Sequence, residues 1–146
     1  KSSIENNTLH LQKQALKSTS MQLDLSNTPD IAQTIVVSCY GLGIACDITG
    51  LHTLKIKETD RLVAVQNELT KLGAIIQITD HSLHLQKRNN PIRPNISIET
   101  YHDHRMAMAF APLALLVPIR IQDADVVTKS YPEFWKDLEM NGFLLG

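Results

Sequence analysis

Few features that would tie this chain to a special environment or a common cofactor are present. Only two cysteines occur, Cys39 and Cys46. Their spacing fits neither a zinc site nor a dithiol motif, and the composition suits a reducing cytoplasm. No charge of one sign dominates. Lys and Arg number 14 against 15 Asp and Glu, a net charge of −1, whereas a nucleic-acid surface needs a clear basic excess. No apolar run reaches membrane-spanning length; the nearest, Met106–Pro118, is too short and too rich in alanine. No secretory signal peptide is visible. Gly41-Leu42-Gly43 lacks the Walker pattern and the dinucleotide fingerprint, and reads as the end of a helix. No nucleophile elbow supports a Ser/His/Asp triad. His102-Asp103-His104 has no further ligands at suitable spacing, so no metal is expected. The start at Lys1 rather than Met points to a piece of a longer protein.

What is present suits one soluble globular domain: 146 residues, 43% hydrophobic and 20% charged, enough for a real core. Leu9-His10-Leu11-Gln12-Lys13 recurs unchanged as Leu83-His84-Leu85-Gln86-Lys87, 74 positions later, and the pattern around it repeats at nearly the same offset. An alternating strand at Met21–Leu25 matches Ile96–Thr100. A helix opening at Thr28-Pro29-Asp30 matches one at His102-Asp103-His104, and a helix from about Glu58 matches one from about Pro132. The chain therefore reads as mixed α/β, with two repeat units at about 7–80 and 81–146. Ile75–Thr79 is expected to pair with Leu83–Gln86 across a short polar turn. Leu62, Val65, Leu69 and Leu72 fall on one helical face, and Gly73 marks its stop. The helix from Asp103 to about Leu116 is apolar nearly all round and should be buried, with a kink at Pro112. Ser130-Tyr131-Pro132-Glu133 offers a serine cap, a first-turn proline and a capping-box acid.

Some charges break local rules. Cations are unfavourable at a helix start, where the dipole is positive and N–H groups are free. Lys57 and Arg61 stand at such a start with like charges on one face, Arg105 lies in the first turn of the buried helix, and Lys129 precedes the Ser130 cap. A bound anion shared by the cations and the free N–H groups resolves this conflict. The plainer reading pairs Lys57 and Arg61 with Glu58 and Asp60 on a solvated surface. Asp30 and Glu58 divide in the same way, between first-turn acids and general base and acid in a cleft.

Four stretches carry a resemblance. Asn27-Thr28-Pro29-Asp30, Lys57-Glu58-Thr59-Asp60-Arg61, Asp103-His104-Arg105-Met106-Ala107-Met108 and Lys129-Ser130-Tyr131-Pro132 are similar, in order and spacing, to C-terminal motifs of the 5-enolpyruvylshikimate-3-phosphate synthase family, the 3-phosphoshikimate 1-carboxyvinyltransferases. The resemblance covers essentially the whole chain, and its two central motifs are specific. It implies transfer of the enolpyruvyl group of phosphoenolpyruvate to the 5-hydroxyl of shikimate 3-phosphate, releasing phosphate, on the route to aromatic amino acids. No organic cofactor is implied. The implied fold is an inside-out α/β barrel lobe built from three βαβαββ units, of which this chain would supply about two. Carried over residue by residue, Asp30 matches the carboxylate that holds and deprotonates the attacking hydroxyl. Glu58 matches the acid that protonates the methylene carbon of phosphoenolpyruvate and later takes a proton back. Lys57 matches a lysine near the reacting centre. Arg61, Arg105 and Lys129 match cations that hold the carboxylate and phosphate of phosphoenolpyruvate, and His104 matches a neighbour lining the site. Glyphosate-type herbicides would compete at those cations. Some members carry Asn where Thr53 stands here, which leaves one shikimate-phosphate contact open.

The family's other lobe supplies the groups that grip the shikimate phosphate, and none can lie in this chain. Because both substrates must be held in near-attack geometry between closing lobes, the chain alone is expected to be inactive. A truncated lobe should also expose apolar surface and self-associate. Two competing readings are a non-catalytic anion-binding or scaffold module, and the sister transferase acting on UDP-N-acetylglucosamine.

Overall fold

The computed structural model describes residues 2–13, 15, 18–56 and 60–146. The chain opens with an antiparallel hairpin, β1 (Ser2–Glu5) and β2 (Thr8–Leu11). Asn6 and Asn7 turn it with φ of 48° and 60°; paired positive φ values match the twist of flanking strands, and Asn tolerates them. β3 (Ser20–Asp24) follows, then a 3-10 turn over Pro29–Ile31, α1 (Ala32–Leu42) and β4 (Ala45–Thr49). β4 lies parallel to β3, so the chain between them crosses over through α1. Gly50 then closes the strand end with φ +78°, and a Cβ there would stand 2.4 Å from the Ser26 amide. The glycine lets the exit of β4 approach the loop that leads to Asp30.

A 3-10 segment at His52–Ile56 leads towards α2 (Arg61–Leu72). The helix starts at Arg61 rather than near Glu58 because Asp60 caps it, accepting from the amides of Leu62 and Val63 at 3.2 Å. Leu62, Val65, Leu69 and Leu72 are all buried as their spacing requires, each contributing about 2 kcal/mol. Gly73, φ +102°, ends the helix in the left-handed region. β5 (Ile76–Ile78) and β6 (Leu83–Leu85) form the expected hairpin, and β6 docks antiparallel on β4, giving a sheet of order β3-β4-β6-β5. Alternation sorts its faces. Cys46, Ile48, Leu83 and Leu85 enter the core, while Asp47 Oδ1 and His84 Nδ1 meet at 2.9 Å on the outer side.

The second half repeats this order with shorter elements. β7 (Ile96–Ile98) is parallel to β8 (Ile119–Ile121), and α3 (His104–Phe110) lies between them in sequence and packs on α1. Met106, Ala107, Ala109 and Phe110 are buried, as an all-apolar helix demands. Instead of a kinked helix to Leu116, α3 ends at Phe110 and continues as a 3-10 helix over Ala111–Leu115. Pro112 cannot donate to the carbonyl four residues back, so the chain tightens there. A further 3-10 segment, Ala124–Lys129, precedes α4 (Phe134–Met140). Ser130 does not cap α4. Its amide donates to the Val127 carbonyl and closes the 3-10 segment, and Glu133 occupies the cap position without a side-chain bond.

Candidate active site

Three element starts converge. Asp30 lies in the 3-10 turn after β3, Arg61 is the first residue of α2, and Asp103 caps α3 with His104 and Arg105 directly behind it. Arg61 Nε donates to Asp103 Oδ2 at 2.6 Å, and Arg61 Nη1 donates to Asp30 Oδ1 at 2.8 Å. Arg105 Nη1 donates to the Asp30 carbonyl at 3.0 Å, and its Nη2 stands 3.6 Å from Asp30 Oδ2. The other oxygen of Asp103 accepts from the Arg105 amide at 2.9 Å and lies 3.9 Å from His104 Nδ1. Arg61 and Asp103 side chains are 3% and 0% exposed, whereas those of Arg105 and Asp30 are 37% and 38% exposed. An inner ion pair thus supports an outer, accessible one.

The geometry removes the plainer reading of one cation and revises the placement of another. Arg61 is not a solvated surface cation paired with Asp60, since Asp60 caps the helix and Arg61 is sealed between carboxylates of two other elements. Lys129 does not stand at a helix start; it ends the 3-10 segment that packs against α3, where a cation suits the dipole. Asp30, Arg61, His104 and Arg105 are brought together. Lys57 and Glu58 lie outside the described residues. The Thr53 hydroxyl and Arg105 Nε are enclosed without a hydrogen-bond partner among the described residues.

Two supporting acids were not singled out from the sequence as site residues. Asp103 is one. Glu68 is the other: it is buried on α2 and accepts from Tyr101 Oη at 2.8 Å, from the Glu99 amide at 3.1 Å and from Lys71 Nζ. It thereby anchors the turn in which Tyr101 and His102 both take positive φ, 54° and 56°, and which delivers Asp103. Burial, reinforced by the carboxylates of Glu68 and Glu99, raises the Tyr101 hydroxyl above its ordinary pKa. A signal for such tethers was available. Arg61 and Glu68 stand two helical turns apart on the stripe that also carries Val65 and Leu72, and charge on an apolar stripe calls for buried partners.

A family model described as EPSP synthase (3-phosphoshikimate 1-carboxyvinyltransferase) matches residues 2–138. The chain belongs to this family, as the four motifs suggested. The 3-phosphoshikimate 1-carboxyvinyltransferase of Bacteroides fragilis (strain ATCC 25285) is 45% identical over 127 residues, covering 82% of this chain and 30% of that protein. The protein of the same name from Laribacter hongkongensis is 37% identical over 113 residues, covering 77% and 26%. Among solved structures, EPSP synthase from Acinetobacter baumannii matches with a TM-score of 0.69 and 25% identity over 76% of this chain and 26% of that one. The mixed α/β fold is therefore shared with EPSP synthase, and the chain spans about 30% or less of the length of these relatives. Among the described residues, no helix is long and apolar enough to cross a membrane.

Proposed function

We propose that this chain forms part of one lobe of a 3-phosphoshikimate 1-carboxyvinyltransferase, and that the Asp30–Arg61–Asp103–Arg105 cluster is its share of the reacting centre. One observation carries the reading: Asp30 is fastened by arginines from two separate helix starts yet keeps its carboxylate partly open to solvent. A fixed, accessible carboxylate is what a hydroxyl group needs in order to be oriented and relieved of its proton. Asp30 would accept the proton of the 5-hydroxyl of shikimate 3-phosphate as its oxygen attacks C2 of phosphoenolpyruvate. Glu58 would protonate C3 of the same molecule. Loss of phosphate then follows, with Glu58 recovering a proton from the new methyl group. Arg105, Lys129, Lys57 and Arg61 would supply positive charge for the carboxylate and phosphate, with His104 beside them. Arg105 is the accessible clamp, whereas Arg61 acts chiefly through the carboxylates it holds. The recurring element order supports a duplicated unit with boundaries near residues 7–80 and 81–146. Unpaired Cys39 and Cys46 support a cytoplasmic setting.

Activity requires groups that grip the second substrate, which we assign to a separate lobe. A chimera tests this directly: the matching segment of the Bacteroides fragilis enzyme is replaced by this chain, and phosphate release from the two substrates is followed. The chimera should turn over, and Arg105→Ala or Glu58→Ala should lower the rate by about a hundredfold or more. A folded chimera that releases no phosphate, or that prefers UDP-N-acetylglucosamine as acceptor, would sink the assignment.

A further inference from the structure

Two segments reach the candidate site through one narrow crossing. The first runs from the end of β3 through Leu25 and Ser26 to Asp30. The second leaves β4 through Gly50 and continues by way of His52–Ile56 towards Arg61. Where they cross, main chain meets main chain. The Leu25 amide donates to the Thr49 carbonyl at 3.0 Å, and the Thr28 amide donates to the Leu25 carbonyl at 2.9 Å, which begins the turn into Asp30. Asp24 Oδ1 accepts from the Ser26 amide at 2.9 Å and from Ser26 Oγ at 2.5 Å. A single carboxylate oxygen thus folds the loop back over the end of its own strand.

Gly50 lies against that fold. A Cβ at this residue would stand 2.4 Å from both the Ser26 amide nitrogen and Ser26 Oγ, and 2.6 Å from Asp24 Oδ1. Its φ of +78° also belongs to the left-handed region that favours glycine. Any side chain here would meet backbone and a hydrogen-bonded carboxylate, not the yielding tip of a long side chain. Gly50 has little room to step aside. Thr49 before it holds Leu25, and Leu51 after it is buried and donates its amide to the His81 carbonyl at 3.0 Å. The Leu25 side chain is buried as well, so the strain would be relieved by moving Ser26–Thr28, the stretch that delivers Asp30.

We propose that Asp24, Ser26 and Gly50 are positioning residues, forming a latch that fixes Asp30 relative to the helix start carrying Arg61. The inference rests on the reading of Asp30 as part of the reacting centre. Arg61 Nη1 meets Asp30 Oδ1 at 2.8 Å, and it can orient that carboxylate only where the loop presents it. The latch sets the backbone, and the arginine sets the side chain. A proton acceptor displaced by about 1 Å loses up to about a hundredfold in rate. Arg105, by contrast, is rooted in α3, through which neither segment passes, so the grip on phosphoenolpyruvate should be largely kept.

The chimera with the Bacteroides fragilis enzyme provides the assay. Relative to the chimera with its latch intact, Gly50→Ala should lower kcat by about tenfold or more, while KM for phosphoenolpyruvate stays within about threefold. Asp24→Ala should lower kcat in the same way. Asp24→Asn, whose amide oxygen can still accept both Ser26 bonds, should restore most of the rate. Asp24 is exposed, so this second pair folds and decides the matter even if Gly50→Ala does not. In the isolated chain, Asp24→Ala but not Asp24→Asn should speed amide exchange at residues 25–31. An inactive chimera with the latch intact would count against the proposed function itself. The latch is overturned by an active chimera in which both alanine changes keep the full rate or raise KM alone. Asp24→Asn as slow as Asp24→Ala would also overturn it, as would unchanged exchange in the isolated chain.

Discussion

Arg61 and Asp103 are both withdrawn from solvent, and each answers the other's charge. Removing one partner of a buried pair leaves a charge that water cannot reach, so Asp103→Ala should cost about 3–5 kcal/mol. Asp103→Leu combined with Arg61→Met should recover most of that loss. Chemical denaturation of the three chains checks this, and a cost near zero for the single change would mean the pair is not structural. Gln33 presents the opposite case. It is buried in α1, and neither its amide nitrogen nor its oxygen has a hydrogen-bond partner among the described residues. Gln33→Leu should raise stability by about 1 kcal/mol, read as a higher denaturant midpoint. At this scale the sequence showed which charges were misplaced but not what answered them. Arg61 could be recognised as a cation at a helix start, yet its partner Asp103 lies 42 positions along the chain. Only the packing of α3 on α1 and beside α2 reveals the match.

The turn that presents Asp103 depends on its anchorage. Tyr101 and His102 hold left-handed backbone conformations that side-chain-bearing residues seldom adopt, and the tether from Tyr101 to Glu68 offsets that strain. Tyr101→Phe deletes a hydrogen bond to a buried carboxylate, and should destabilise the chain by about 1.5–3 kcal/mol. Faster amide exchange around residues 99–103 should accompany the loss; unchanged exchange there would refute the tether. Elements with strong internal rules were legible beforehand. α2 follows from its apolar spacing and its glycine stop, and the β5–β6 hairpin from two apolar runs about a polar turn. The failures fell where local signals compete. Pro112 was compatible with a kink or with a change of helix type, and only packing selects the tighter form. Ser130 had every sequence mark of a cap. Its amide is instead taken by Val127, because the preceding 3-10 segment runs on to Lys129.

At the level of the molecule, the cluster is poised but incomplete. Asp30 and Arg105 are each partly exposed, and catalysis between two substrates needs both enclosed. The chain by itself should therefore release no phosphate above background from phosphoenolpyruvate and shikimate 3-phosphate. Measurable turnover by the isolated chain would show that a second lobe is dispensable.

The Arg61–Asp103 pair joins α2 of the first half to α3 of the second. On the proposed duplication, it is a bond between sister copies. A lone ancestral unit could have carried the counterpart of Arg61 at a helix start, but it had no neighbouring copy to bring a cap carboxylate against it. On that proposal, burial of that arginine, and the firm seat it gives Asp30, would follow only from the doubling of the gene segment. The cluster assigned to the reacting centre would then be younger than the fold that bears it, each copy keeping a different half of the arrangement.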